Sequence, residues 1–273
     1  MFESKRTYST GRSLLNIAET TYHVAVRKVR SGHRNALFAI GKSIMQGLLF
    51  LTFFYLMFTV LGVRGAALRG DFTLYLLTGI FLYLTHITAF RGIVGSEGPT
   101  SAMMLHAPMN TIVAILASAL SSLYTQFISF MVILFIIHTI IEPVIVHDWV
   151  GAGMMFLLSW FTGCCFGVVL LALKPWMPGA VNTISMIYVR VNMIASGKMF
   201  VANMLPGFMI ALFDWNPLFH LVDQARGFTF VNYFPRYSNW EYPLYVALTF
   251  LVLGLMGEFF TRRRASASWG AMN

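Results

Sequence analysis

The charges of this chain are confined almost entirely to its two ends and to short gaps between long apolar runs, a layout that suits a bilayer rather than water. Hydrophobic residues make up 58% of the 273 and charged residues 11%. With a mean hydropathy of +0.71, a soluble globule of this size would have too little polar surface to cover itself, so hydrocarbon must cover the remainder. Apolar runs at Ala36 to Gly62, Phe72 to Phe90, Thr111 to Ile141, Trp149 to Leu173 and Pro243 to Phe260 each reach the roughly 20 residues that a spanning helix requires.

Sidedness follows from where Lys and Arg fall. Lys5, Arg6, Arg12, Arg27, Lys28, Arg30 and Arg34 precede the first run, and Arg262, Arg263 and Arg264 follow the last. Both termini are therefore expected in the cytoplasm, which demands an even number of crossings. The segment from Gly179 to Asn203 supplies the sixth. Asp71, Glu142, Asp148, Asp214, Asp223 and Glu241 then all fall outside. The first run is too long and its basic leader too extended for a secretory signal, so the chain is expected to insert uncleaved. Adjacent Cys164 and Cys165 lie inside an apolar run, which indicates neither a disulfide framework nor a zinc site. The expected fold is an all-α integral membrane protein. Residues 1–35 form a basic amphipathic interface helix, 36–261 a six-span domain and 262–273 a cytoplasmic tail.

In the leader, Leu14, Leu15, Ala18, Tyr22, Val26 and Val29 share one helical arc, with Arg12, Asn16, Glu19, His23, Arg27 and Arg30 opposite. A helix lying on the inner leaflet fits that pattern. The gap 91–110, cytoplasmic in this topology, holds Gly92, Gly95, Gly98, Pro99 and Pro108 around a short run from Thr100 to Ala107. It reads either as a docking helix or as a tight connector.

The sixth candidate span is unusually polar, with Asn182, Arg190, Asn192, Ser196, Lys198 and Asn203. On a continuous helix Arg190 and Lys198 stand about 80° apart and broadly share a face. A cation at mid-membrane costs roughly 2.5–3.5 kcal/mol on insertion scales, so such residues usually face protein or a watery path. A path for an anionic substrate competes here with snorkelling by Lys198 and pairing of Arg190 to a neighbouring helix. The segment 205–242 is too apolar for an ordinary outer loop and is broken by Pro206, Pro217 and Pro235. Short re-entrant or interface-lying helices are expected there, with Trp215, Tyr233, Tyr237, Trp240 and Tyr242 at headgroup level.

No phosphate-cradling loop is present. The fragment Gly41, Lys42, Ser43 has Ala36 where the motif needs its first glycine. The seven histidines lack ligand spacing, and no serine elbow, Cys/His pair or close carboxylate pair stands out. An intramembrane enzyme is therefore disfavoured, although such enzymes can assemble residues from distant helices.

The letters Ser196-Gly197, Leu205-Pro206, Trp215-Asn216-Pro217-Leu218, His220, Asp223 and Arg226 resemble the last third of the membrane permeases of type-2 ABC exporters. They are most similar to the branch exporting capsular polysaccharide or lipopolysaccharide O-antigen. The general plan of leader, six spans and long outer segment is shared with exporters of drugs and lipids. The chain departs from many polysaccharide permeases at Asn35 to Ser43, which lacks their Trp and Pro. The resemblance implies a homodimeric permease in a bacterial inner membrane, without nucleic-acid partners and with no cofactor on this chain. A separate cytoplasmic ATPase subunit would bind ATP and Mg. It would be gripped by a coupling helix within 91–110 that includes Thr100, Met103, Met104 and His106. The implied substrate is a polysaccharide, expected to be lipid-linked and acidic, passed toward periplasmic and outer-membrane components. Arg190, Lys198, Tyr55 and Tyr188 would line its path, and Trp215, Asn216, Pro217, His220, Asp223 and Arg226 would form a re-entrant exit motif. An exporter of lipid or drug and an ATP-independent secondary transporter are the alternative readings.

Overall fold

A computed structural model describes residues 10–31, 36–62, 71–98 and 110–270. Among these the regular structure is entirely helical: α1 (Thr10–Ser31), α2 (Ala36–Val60), α3 (Phe72–Val94), α4 (Thr111–Ile140), α5 (Trp149–Leu173), α6 (Pro178–Ala195), α7 (Gly207–Ile210), α8 (Pro217–Thr229) and α9 (Glu241–Gly270). A 3-10 turn spans Ala202–Met204. Helices α2, α3, α4, α5 and α9 are long and apolar enough to cross a membrane, as expected for a multi-pass membrane protein. The run Thr100 to Ala107, with Thr100, Met103, Met104 and His106, lies outside the described residues.

The helix starts have local causes. Asp71, Asn110 and Asp148 each accept a hydrogen bond from a backbone N–H of the first turn of α3, α4 and α5, satisfying donors that no intrahelical carbonyl reaches. α6 has no such cap and begins instead on Pro178, whose missing N–H removes the need for one.

α3 is the axis of the molecule. Within its candidate span 89% of residues are buried, against 17% for α2, 28% for α4 and 22% for α9. Small residues allow its close approach to α5. A Cβ on Gly163 would lie 2.3 Å from the His86 carbonyl oxygen, and one on Gly167 would lie 2.7 Å from Ile93 Cβ. The same device joins α5 to α9, where a Cβ on Gly254 would lie 2.8 Å from Val168. Lipid tails are as apolar as leucine, so the helices gain little by hiding apolar surface from them. Close backbone contact and buried polar bonds hold them together instead.

Those polar bonds cross the bundle. Gln126 on α4 donates to Thr88 on α3 at 3.0 Å and to Ser43 on α2 at 3.3 Å. Ser159 on α5 donates to the Leu82 carbonyl on α3 at 2.8 Å. At one end of the bundle Trp176 donates to Thr261 on α9 at 2.8 Å and Lys174 to the Val94 carbonyl at 2.9 Å. The start of α6 therefore lies beside the ends of α3, α5 and α9.

α1 packs on α4 through Thr21 and Ala25, while Leu15 and Tyr22, from the same apolar arc, remain exposed. The anticipated amphipathic helix is present, but protein covers only one edge of its apolar stripe.

Gly163→Leu is expected to destabilise the protein by about 1–3 kcal/mol, because backbone must move to admit the side chain. Gly153 meets nothing within 4 Å, so Gly153→Ala is expected to be neutral or to stabilise by roughly 0.5–1 kcal/mol. Thermal unfolding of the two variants in detergent measures the contrast.

Candidate functional site

Ser196 and Gly197 end α6. Gly197 takes φ +75°, a conformation that costs a residue with a Cβ far more, and a Cβ there would also lie 2.9 Å from the Phe219 ring. The turn is wholly buried. It leaves the last carbonyls of α6 and of the turn facing protein rather than water, so side chains must satisfy them.

Three side chains do so. Asn216 donates to the Ala195 carbonyl at 2.8 Å, and Lys198 turns back to donate to the Met193 carbonyl. Arg226 donates to the carbonyls of Gly197 at 2.9 Å, Phe200 at 2.7 Å and Lys198 at 3.0 Å. Two cations at a helix C-terminus also suit the negative end of its dipole. Each cation rests on rings: Arg226 lies 4.1 Å from the centre of Tyr75, and Lys198 Nζ lies 3.7 Å from that of Tyr83 and 5.6 Å from that of Phe54. These contacts add attraction in a desolvated setting. Gly79 makes room, since a Cβ there would lie 2.8 Å from Lys198 Cβ.

Of the residues in and before α8 that the sequence singles out, Asn216 and Arg226 meet this turn, while His220 and Asp223 tie α8 to the segments on either side of it. Asn216 caps α8 by accepting from Leu218 N at 3.1 Å, and its amide also donates to Asn192 at 3.1 Å. Pro217 occupies the first helical position. Asp223 accepts from the Tyr233 hydroxyl and, at 2.7 Å, from Ser238. His220 donates from Nε2 to the Asp214 carbonyl at 2.6 Å and accepts at Nδ1 from the Asn239 N–H at 3.1 Å. Burial lowers the His220 pKa, opposed by the Asp214 carbonyl and by the carboxylates of Asp214 and Asp223. Trp215 stays exposed and donates to the Leu212 carbonyl at 2.7 Å.

Three expectations are corrected. Arg190 and Lys198 do not share a helical face, because α6 ends at Ala195 and Lys198 belongs to the buried turn, while Arg190 is exposed on the helix. Nor does Tyr188 offer its ring to a path: it is enclosed by His86, Phe90 and Phe166, at 5.9, 4.7 and 5.4 Å between ring centres. His86 Nδ1 lies 3.1 Å from the Ser159 carbonyl, which fixes the proton there, so Nε2 accepts from the Tyr188 hydroxyl at 2.7 Å. Tyr55 is half-buried against Phe72, 5.9 Å between ring centres. Tyr233 is likewise not at an interface but buried on Asp223.

α6 presents three distinct faces. Val181, Ser185, Tyr188, Asn192 and Ala195 turn inward, while Ile184, Ile187, Val191 and Ile194 form an exposed aliphatic strip. Asn182, Thr183, Met186, Arg190 and Met193 are also exposed and fall within about 100° of one another on the helix. That second strip carries the polar side chains Asn182, Thr183 and Arg190 beside two methionines and is not covered by the other described residues.

Neither the seats of the cations on Tyr75, Tyr83 and Phe54 nor the Asn192 to Asn216 pair was foreseeable from residue pattern. The one available signal was Gly79, a glycine inside an otherwise large-residue span. Among the described residues no group of three His, Cys, Asp or Glu side chains is placed to hold a metal. No protein-family model matches the chain, and no curated protein matches it.

Arg226→Ala is expected to leave three buried carbonyls without donors and to cost roughly 3 kcal/mol or more. Arg226→Lys should restore less than half, because an ammonium is a point charge and not a fork. Thermal unfolding in detergent compares them. For His220 the sign is set by a folded pKa below the ordinary 6.5: its contribution is complete above that value and is lost as pH falls toward the folded pKa. Stability measured from pH 7 downward should therefore decline less steeply in His220→Asn than in the unmodified protein.

Proposed function

We propose that the chain is the membrane subunit of a type-2 ABC exporter, paired with a second copy and driven by a separate ATPase. The observation that carries this reading is the uncovered strip of Asn182, Thr183 and Arg190 on α6. Lipid is a poor solvent for such a strip, which calls for a facing protein chain or water. A second copy related by a two-fold axis would bring two strips face to face and enclose a polar, cationic route.

In this reading α6 makes a sixth crossing of about 27 Å, slightly less than the roughly 30 Å of hydrocarbon. The buried turn and α8 complete it as a re-entrant segment. Gly79, the eighth residue of α3, meets Lys198 about 10 Å along that helix from its start. Irregular backbone at such depth requires the protein shielding that the Arg226 cluster supplies. Both termini then lie in the cytoplasm of a bacterial inner-membrane protein.

The cargo proposed is a polysaccharide, lipid-linked and acidic, for which Arg190 is the guiding charge. Lys198 acts differently: it positions the turn and does not line the route. Energy would enter from the ATPase, with its ATP and Mg, through α1 and the segment 91–110, because a chain lacking a phosphate-cradling loop must receive hydrolysis energy through contacts with a partner.

Purification from native membranes in mild detergent should recover an ATP-binding subunit at near one-to-one stoichiometry. A stable preparation without one contradicts the exporter reading. Arg190→Ala should lower export of an acidic polymer several-fold while leaving the subunit ratio unchanged. Undiminished export would remove Arg190 from the route.

A further inference from the structure

The segment 231–240, between α8 and α9, has no helix or strand and little apolar anchorage: Val231, Phe234, Tyr237 and Trp240 are exposed, and of its ten side chains only Tyr233 is buried. Polar bonds strap it to the rest of the chain. Asn203 pins its middle, donating to the Phe234 carbonyl at 2.8 Å and accepting from the Arg236 N–H at 3.3 Å. The other bonds go to α8. Tyr233 and Ser238 donate to Asp223, Gln224 donates to the Ser238 carbonyl at 2.7 Å, and the Asn239 N–H donates to His220 Nδ1 at 3.1 Å. His220, Asp223, Gln224 and Gly227 share one face of α8, and a Cβ on Gly227 would lie 2.7 Å from Pro235 of the strap.

These bonds differ in how they meet a proton. The donors to Asp223 are hydroxyls, which can turn to accept from a carboxylic acid as they now donate to a carboxylate. Both partners of His220 are backbone groups with fixed roles: the Asp214 carbonyl can only accept, and the Asn239 N–H can only donate. A neutral ring with its proton on Nε2 serves both. An imidazolium carries a proton on each nitrogen and cannot.

We propose that His220 and the Asn239 N–H form a proton-sensitive clasp, in which protonation of Nδ1 sets two donors against each other and loosens the end of the strap nearer α9 from α8. The ring is faced by the Asp214 carbonyl and carboxylate from the preceding turn, by Asp223 on α8 and by the Tyr242 ring of α9, 4.8 Å between ring centres. The carboxylates and the aromatic face favour the charged ring. Burial disfavours it and prevails, so the pKa lies below the ordinary 6.5. Loosening the strap lets the ring return toward that ordinary value, so the closed form binds fewer protons than the open one. Closure is therefore complete above 6.5, weakens as pH falls through the interval down to the folded value, and weakens no further below it. The clasp acts on the helix that delivers Arg226 to the turn after α6, and it holds whether or not the chain exports.

The test is hydrogen–deuterium exchange of the full chain in nanodiscs, with rates in the 231–240 region corrected for intrinsic exchange at each pH. Between about pH 7.5 and about pH 5 the protection of the Asn239 amide should fall several-fold, at most about tenfold per pH unit for one proton, while that of α3 stays constant. His220→Asn keeps an acceptor near the Nδ1 position but cannot be protonated in this range, so its protection should not change with pH. Protection that is independent of pH in the unmodified protein, or an equal fall in His220→Asn, overturns the clasp. A second reading needs no substitution. In 15N-histidine-labelled protein at neutral pH, solid-state NMR should find the ring that contacts the Asn239 amide protonated at Nε2 and bare at Nδ1, and a proton on Nδ1 at neutral pH overturns the assignment.

Discussion

A helix that stops inside an apolar environment must dispose of its last carbonyls, and the far end of α6 meets that demand with Lys198, Asn216 and Arg226. In water those oxygens would be hydrated at little cost. Here each would cost about 1–3 kcal/mol unpaired. The remaining architecture of that end follows from the need. Arg226 must come from a helix held alongside the turn, so α8 is largely buried and is anchored by its Asn216 cap, by Asp223 on Tyr233 and Ser238, and by His220 between two backbone groups. α3 must come close, so it carries Gly79. The rings of Tyr75 and Tyr83 then take the cations that no carboxylate meets at this point.

The same polar logic assigns different work to residues that look alike in the sequence. Lys198 and Arg226 are cations spent on the protein's own backbone. Arg190 is a cation presented outward beside Asn182 and Thr183. A positive charge within an apolar stretch of sequence is thus not one kind of feature. What distinguishes the two uses is whether local carbonyls are left over for it to bind, and α6 with the turn that follows it displays both.

The five long helices were legible because hydropathy and length alone decide them, and their observed ends lie close to the apolar runs. Of the letters read together around α8, Asn216 and Arg226 meet at the turn after α6, whereas His220 and Asp223 bind the segments that flank α8. Their partners were not legible. Gly197 breaks α6 through its positive φ, and periodicity carries no signal for such a break. A helix drawn to Asn203 therefore placed Lys198 beside Arg190. Tyr188 was misread for a related cause: aromatic composition says nothing of which side a ring faces, and here the polar anchor of His86 turns it inward. The sparse contact between α4 and α5 was also invisible, because a missing contact between neighbouring helices leaves no mark on either one.

The most direct measurement is water access along α6, by single cysteines placed from Asn182 to Met193 and challenged with a charged maleimide in native membranes. Cysteines replacing Asn182, Thr183, Met186 and Arg190 should react, while those replacing Ile184, Ile187 and Val191 should not. Uniform protection of both strips, or labelling of the aliphatic strip instead, would contradict a polar route on this helix.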